Sequence, residues 1–202
     1  VSLLVVDVGT SGVRAAVIRP DATVAADHHI QVLPDSPMAG LVEFDAAAMA
    51  ASALDAARRV LAEAGPVDAV GIANQRASTV VWDRATGEPV GPGLGWQDLR
   101  TVGECLALQA QDIYVAPNHT ATKAAALLDQ ADPERERDLC VGTVDSWIAW
   151  HLSEGAVHVT DTTNASVTGL LSQDASGWDR RVLDALRIPA ASMPTLVAST
   201  GD

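Results

Sequence analysis

Asp7, Gly9, Thr10, Ser11 and Gly12 stand between two apolar runs, Leu3–Val6 and Val13–Ile18, the second of which carries Arg14. Glycines at 9 and 12 allow backbone turns closed to other residues and let N–H groups approach an oxyanion. The Thr10 and Ser11 hydroxyls add donors. In that setting Asp7 would face the Mg²⁺ that accompanies nucleotide phosphates, and Arg14 would add a charge-assisted contact to the phosphate. The same residues also suit an ordinary hairpin closed by a glycine turn. The stretch has neither the Gly-Lys-Ser/Thr ending of a Walker loop nor the glycine spacing of a dinucleotide fingerprint.

Two further polar groups have chemical potential. Asn74-Gln75-Arg76-Ala77-Ser78 follows the apolar run Ala69-Val70-Gly71-Ile72-Ala73, and Gly95-Trp96-Gln97-Asp98-Leu99-Arg100 follows a stretch rich in Gly and Pro. Ligands of open α/β sheets gather at the carboxyl ends of strands, so the Asn-Gln-Arg group is placed to meet substrate hydroxyls. A solvated loop is the alternative. A Trp beside an amide, an acid and an Arg fits a platform for a sugar or polyol, or a core Trp ahead of a helix cap.

The elements that must position these groups show in the periodicity. Leu3–Asp7, Val13–Ile18 and roughly 22–32 are strand-like, with Pro20-Asp21 as a turn, which predicts an antiparallel meander. Asp45 is a helix N-cap candidate. From Ala46 to Ala64, residues Met49, Ala53, Ala56, Val60 and Ala64 share one face, and Gly65-Pro66 ends the helix. Ala69–Ala73 reads as a buried parallel strand, and Thr79–Asp83 as another strand before the turn Thr86-Gly87-Glu88-Pro89. The order β-β-β-α-β predicts an α/β fold with a mixed sheet.

Composition narrows the partners. The chain has 202 residues, 48% of them hydrophobic, enough for a sizeable core. Thirteen basic against 26 acidic residues give a formal charge of −13, an unfavourable field for nucleic acid or an anionic membrane. Any phosphate must therefore be gripped locally. Cys105 and Cys140 lack metal or redox spacing and read as buried structural thiols in helical surroundings. No basic leader or long apolar span is visible, which predicts a cytoplasmic location. Trp147 and Trp150 read as core residues of an apolar helix, and His28-His29 has no third metal ligand nearby in sequence. Glu134–Arg137 reads as a solvated helical start after Asp132-Pro133.

Taken in order, the blocks Asp7–Arg14, Gly71–Arg76, Val80–Asp83 with Thr86–Pro89, Trp96–Thr101, Thr122-Lys123, Val141–Trp150 and Val157–Ser166 resemble the motifs of the FGGY carbohydrate kinase family, nearest to glycerol kinases. The resemblance runs from residue 3 to about residue 200. It implies an actin-like ATPase (RNase H-like) architecture, a βββαβ core with helical and hairpin insertions. Residues 1–202 would form the N-terminal, substrate-side domain, and the C-terminal ATPase half of the same protein would be a partner outside this chain. ATP and Mg²⁺ are the implied cofactors, a small polyol or sugar the substrate, and a homo-oligomer is compatible with it.

Residue by residue, the resemblance implies Asp7 as the acid near Mg²⁺, Gly9, Thr10, Ser11, Gly12 and Arg14 as the phosphate set, and Gln75, Arg76 and Trp96 as the polyol set. The family's catalytic base is an aspartate in a Gly-Asp-Gln block, expected beyond Asp202, so no catalytic base is assigned within this chain. Two departures stand out. Glycerol kinases have a Glu after the Gln-Arg pair where this chain has Ala77, and a Tyr after Pro where it has Asn118. A lost charged hydrogen-bond partner costs about 1.5–3 kcal/mol, so the acceptor is expected to differ from glycerol. A non-catalytic sugar-binding or interaction module on a kinase-derived fold is the competing expectation.

Overall fold

The computed structural model describes residues 1–200. Asp202 therefore lies outside the described residues.

The N-terminal meander forms as its pattern requires. Strands β1 (Leu3–Val8), β2 (Gly12–Ile18) and β3 (Val24–Gln31) pair antiparallel in series, with Leu3 opposite Ile18 and Arg14 opposite His29. Leu4, Val6 and Val8 alternate with outward residues and are buried together with Val13, Ala15 and Val17 of β2. A short strand β4 (Glu43–Phe44) precedes helix α1 (Ala46–Ala64). Asp45 caps that helix, its carboxylate accepting from the Ala48 amide at 2.8 Å, and Gly65 ends it at φ 83°. The buried face of α1 is Ala46, Met49, Ala50, Ala53, Ala56, Ala57 and Val60. So many alanines let the helix lie close over the sheet, and it joins β1 to β3 in one apolar cluster.

Strand β5 (Ala69–Asn74) then pairs parallel to β1, placing Val8 beside Asn74 in a mixed sheet of order β3-β2-β1-β5. This register sets the Gly9–Gly12 turn and the Asn74–Ser78 loop side by side at one end of the sheet. β5 is parallel as expected, but it is an exposed edge strand and not a buried one, with Val70 52% exposed. Its apolar run is continuous, yet the described residues cover neither face fully.

A second sheet follows. β6 (Thr79–Asp83), β7 (Gly93–Leu94) and, after helices α2 (Val102–Gln109) and α3 (Thr120–Ala131), β8 (Leu139–Thr143) give the antiparallel order β4-β7-β6-β8. Helix α4 (Val144–Leu152) follows directly. Its Trp147 and Trp150 pack on Trp82 of β6, with ring centroids 5.1 and 5.8 Å away. Trp147 Nε1 donates to the Ala46 carbonyl at 2.8 Å, tying α4 to the start of α1. This cluster anchors β6, and β6 begins where the Asn74–Ser78 loop ends. A two-stranded parallel pair of β9 (Val159–Asp161) and β10 (Thr195–Val197), with helices α5 (Thr162–Ala165) and α6 (Arg180–Ala185), completes the described elements.

Three local expectations change. Cys140 lies in strand β8, not in a helix; burial pushes its thiol up to about 12 and leaves it inert. Glu134–Arg137 is not helical, because the Asp132 carboxylate accepts the Glu136 and Arg137 amides at 3.0 and 2.9 Å and wraps the chain into a turn. The third strand begins later than expected, since Ala22 is left-handed (φ 63°) in a turn closed onto the Arg19 carbonyl at 2.9 Å.

Candidate active site

The glycine-hydroxyl turn is closed by the Gly9 amide donating to the Gly12 carbonyl at 2.9 Å, which leaves Thr10 and Ser11 at its tip. Gly12 has a second reason to be glycine. A Cβ there would lie 2.5 Å from Nε2 of His29 and 2.8 Å from the Ile30 carbonyl oxygen, so only glycine lets β3 approach. Asp7 ends the outward face of β1, exposed, with no hydrogen bond or ion pair from its carboxylate among the described residues. Arg14 is engaged instead by Asp27, Nη2 to Oδ2 at 2.6 Å and Nε at 3.1 Å.

Beside this turn, the chain leaving β5 is stitched to it. The Gln75 amide donates to the Val8 carbonyl at 2.8 Å, and Gln75 Nε2 to the Gly9 carbonyl at 3.3 Å. Gln75 Oε1 accepts from the Ser78 hydroxyl at 3.0 Å, and the same hydroxyl accepts from the Trp96 amide at 3.0 Å. The Trp96 indole closes the circuit by donating to Thr10 Oγ1 at 3.4 Å. Both ends of the Gln75 amide are thus used within the protein, and Gln75 acts as a brace between the two loops.

Arg76, Ala77, Trp96 and Asn118 do come together. With Val167 they line a pocket of about 250 Å³ opening beside the turn. Arg76 is exposed and reaches the Thr163 carbonyl at 3.5 Å; Trp96 is 41% exposed. Ala77 is buried and left-handed, φ 63°, a conformation costly for alanine. Its carbonyl accepts from the Thr79 and Thr120 hydroxyls, both at 3.2 Å, and these bonds hold it there. A larger pocket of about 480 Å³ between Leu33–Ala46 and Pro89–Pro92 shares none of these residues.

Behind the pocket stands an ion-pair network whose role composition alone did not reveal. Asp98, wholly buried, accepts from Arg100 Nε at 2.8 Å, Arg100 Nη2 at 2.9 Å, the Arg100 amide at 3.0 Å and the Val42 amide at 2.7 Å. Arg100 also binds Glu43 at 2.7 Å. Burial acts to raise the Asp98 carboxyl, but the bonds from Arg100 and the two amides outweigh it and hold the pKa below the usual carboxylate value. The signal available in sequence was the spacing of Asp98 and Arg100 inside the Trp96 block. Nothing in sequence marked Val167; Ser78 and Asn164 lay within named blocks but without a role, and the Asn164 amide oxygen accepts from Asn74 at 3.1 Å.

Chemically, the site offers an exposed unpaired carboxylate, a tight turn tipped with hydroxyls and a small pocket walled by Arg, Trp and Asn. Among the described residues no cluster of three or more His, Cys, Asp or Glu could hold a metal. Asp7 alone fits a hard cation such as Mg²⁺, which keeps several waters and takes phosphate oxygens alongside one or two carboxylates.

Comparison with known proteins agrees with this architecture. Residues 2–201 match the N-terminal domain of the FGGY family of carbohydrate kinases. A glycerol kinase from Trichlorobacter lovleyi is 40% identical, aligned over 98% of this chain and 44% of its own length. One from Methylobacterium nodulans is 38% identical over 99% of the chain and 43% of its own length. The chain thus spans less than half the length of these relatives. The Plasmodium falciparum glycerol kinase crystallised with ADP superposes with TM-score 0.85 at 22% identity, over 96% of this chain and 42% of that one. A ligand-bound xylulose kinase from Lactobacillus acidophilus gives 0.84 at 19% identity, over 97% and 42%. These structures share the actin-like ATPase fold expected from the motifs. By the extent of the family match and the identity to these relatives, the chain belongs to the FGGY family of carbohydrate kinases.

Proposed function

We propose that residues 1–202 form the substrate-side domain of an ATP-dependent kinase that phosphorylates a primary hydroxyl of a polyol or sugar. The observation that carries this reading is the direct link between the phosphate turn and the acceptor pocket, Trp96 Nε1 to Thr10 Oγ1 at 3.4 Å, braced by Gln75 on Gly9 at 3.3 Å. A hydroxyl held against Trp96 then lies next to the hydroxyl-tipped turn. Asp7, with Mg²⁺ bound, would bring divalent charge to the phosphate oxygens. In the transfer, the acceptor oxygen bonds to the γ-phosphorus as the β–γ bridging bond breaks, and the hydroxyl proton passes to a carboxylate. The family resemblance puts that carboxylate in the C-terminal half of the longer protein, so this chain on its own is expected to be inactive. The charge developed in transfer calls for positioning and electrostatics, which the turn, Asp7 and Arg14 supply once Arg14 exchanges Asp27 for phosphate.

The pocket favours an acceptor other than glycerol. Ala77 leaves the wall between Arg76 and Trp96 without a carboxylate, and Asn118 gives a polar rim in place of an aromatic one. On full-length protein, a panel of three- to six-carbon polyols and ketoses should therefore rank glycerol low. Ala77→Glu with Asn118→Tyr should raise glycerol kcat/KM about 10- to 100-fold, more than the two single changes combined, because both side chains wall one small site. Wild-type glycerol turnover above that of every other acceptor would contradict this assignment.

A second reading is a non-catalytic sugar-binding module. The ion pair of Arg14 with Asp27 favours it, since it removes the turn's cation from phosphate. The unpaired Asp7 carboxylate opposes it, because binding a neutral sugar has no use for a bare acid at that point.

A further inference from the structure

Lys123 is wholly buried in the first turn of α3, and its ammonium donates to one acceptor among the described residues, the Pro117 carbonyl at 2.9 Å. A buried ammonium with three donors and one carbonyl partner is an expensive way to fill space that a Met would fill without charge. Burial accordingly draws the Lys123 pKa down to about 8, against the pull of Asp98 and Cys105. The charge therefore calls for a use.

Its surroundings supply one. Pro117 precedes Asn118, which lines the acceptor pocket, while Asp98 belongs to the segment that carries Trp96, which lines it too. Asp98 spends its hydrogen bonds on Arg100 and two backbone amides, so it meets Lys123 as a countercharge and not as a direct partner. Among the described residues the Asn118 loop is otherwise held by two bonds, the His119 amide on the Ala116 carbonyl at 2.9 Å and the Ala116 amide on His119 Nδ1 at 3.2 Å. The second requires an unprotonated Nδ1. Burial, and then the Lys123 charge, lower the His119 pKa and keep that nitrogen free.

We propose that Lys123 is the positioning residue of the acceptor site: its ammonium fixes the Pro117 carbonyl and so sets Asn118 in the pocket it shares with Trp96, with buried Asp98 as countercharge. The proposal deepens the kinase reading and rests on it for its kinetic test. The titratable groups facing the ammonium are Asp98, Cys105 and His119.

In the full-length protein, Lys123→Met should raise the acceptor KM about tenfold while leaving kcat and the KM for ATP within about threefold. Lys123→Arg keeps the charge and should recover most of the acceptor KM. An unchanged acceptor KM in Lys123→Met, a parallel rise in both KM values, or an Arg variant no better than the Met variant would overturn the assignment. Should the variants fail to fold, Asn118→Ala decides, since it removes the side chain that Lys123 sets: its acceptor KM should rise, and an unchanged value overturns the role. A wild-type protein that phosphorylates no acceptor would defeat the kinase reading alone. Amide exchange then tests Lys123, with the Ala116 and His119 amides about tenfold faster in Lys123→Met and β1 unchanged, and equal exchange counting against it.

Discussion

Asp7→Ala in the full-length protein is expected to lower kcat about 10²- to 10³-fold while leaving acceptor affinity within about twofold. The carboxylate is exposed at the end of β1 and bonds to no described residue, so its removal leaves the fold without an orphaned partner. It also lies outside the lining of the acceptor pocket. On the proposed reading, the substitution removes a carboxylate unpaired among the described residues, whose value would be realised only when phosphate charge develops. Acceptor affinity by calorimetry and turnover by ADP release separate the two effects. Equal losses in both would make Asp7 a structural residue.

Asp98→Ala is expected to cost about 3–5 kcal/mol of unfolding free energy in urea titration, because it strands Arg100 in a part-buried site with Glu43 as its remaining partner and leaves the Val42 amide unpaired. The native Asp98 pKa lies below its unfolded value of about 3.9. Its contribution is therefore present above pH 4 or so and is lost as pH falls through the native value. Wild-type stability should decline on that acid limb more steeply than that of Asp98→Asn. A loss below about 1 kcal/mol, or matching acid limbs, would show that the network carries no weight.

Much of the architecture could be read from the chain because local chemistry and tertiary packing agree. The Asp45 cap, the small-residue face of α1 and the Gly65 stop all specify one helix, and the alternation of β1 to β3 specifies the meander. The failures share a cause. The apolar run of β5 resembles a buried strand, but burial depends on what lies across the sheet, which no local pattern records. Glu134–Arg137 has helical composition, yet the Asp132 carboxylate captures its amides first. Within the site, the motifs picked out Gln75, Arg76, Ala77, Trp96 and Asn118; four of these line one pocket, and Gln75 does not. The bracing use of Gln75, the Asp27 partner of Arg14 and the burial of Lys123 depend on contacts between residues far apart in sequence.

On the proposed reading, this domain presents an acceptor hydroxyl for phosphoryl transfer. The most direct test is ³¹P NMR of full-length protein incubated with ATP, Mg²⁺ and each member of the polyol and ketose panel. A new phosphate monoester resonance is expected in step with ADP for at least one acceptor other than glycerol, and none from residues 1–202 alone. Sugar binding without any monoester from the full-length protein would contradict it and support the binding-module reading.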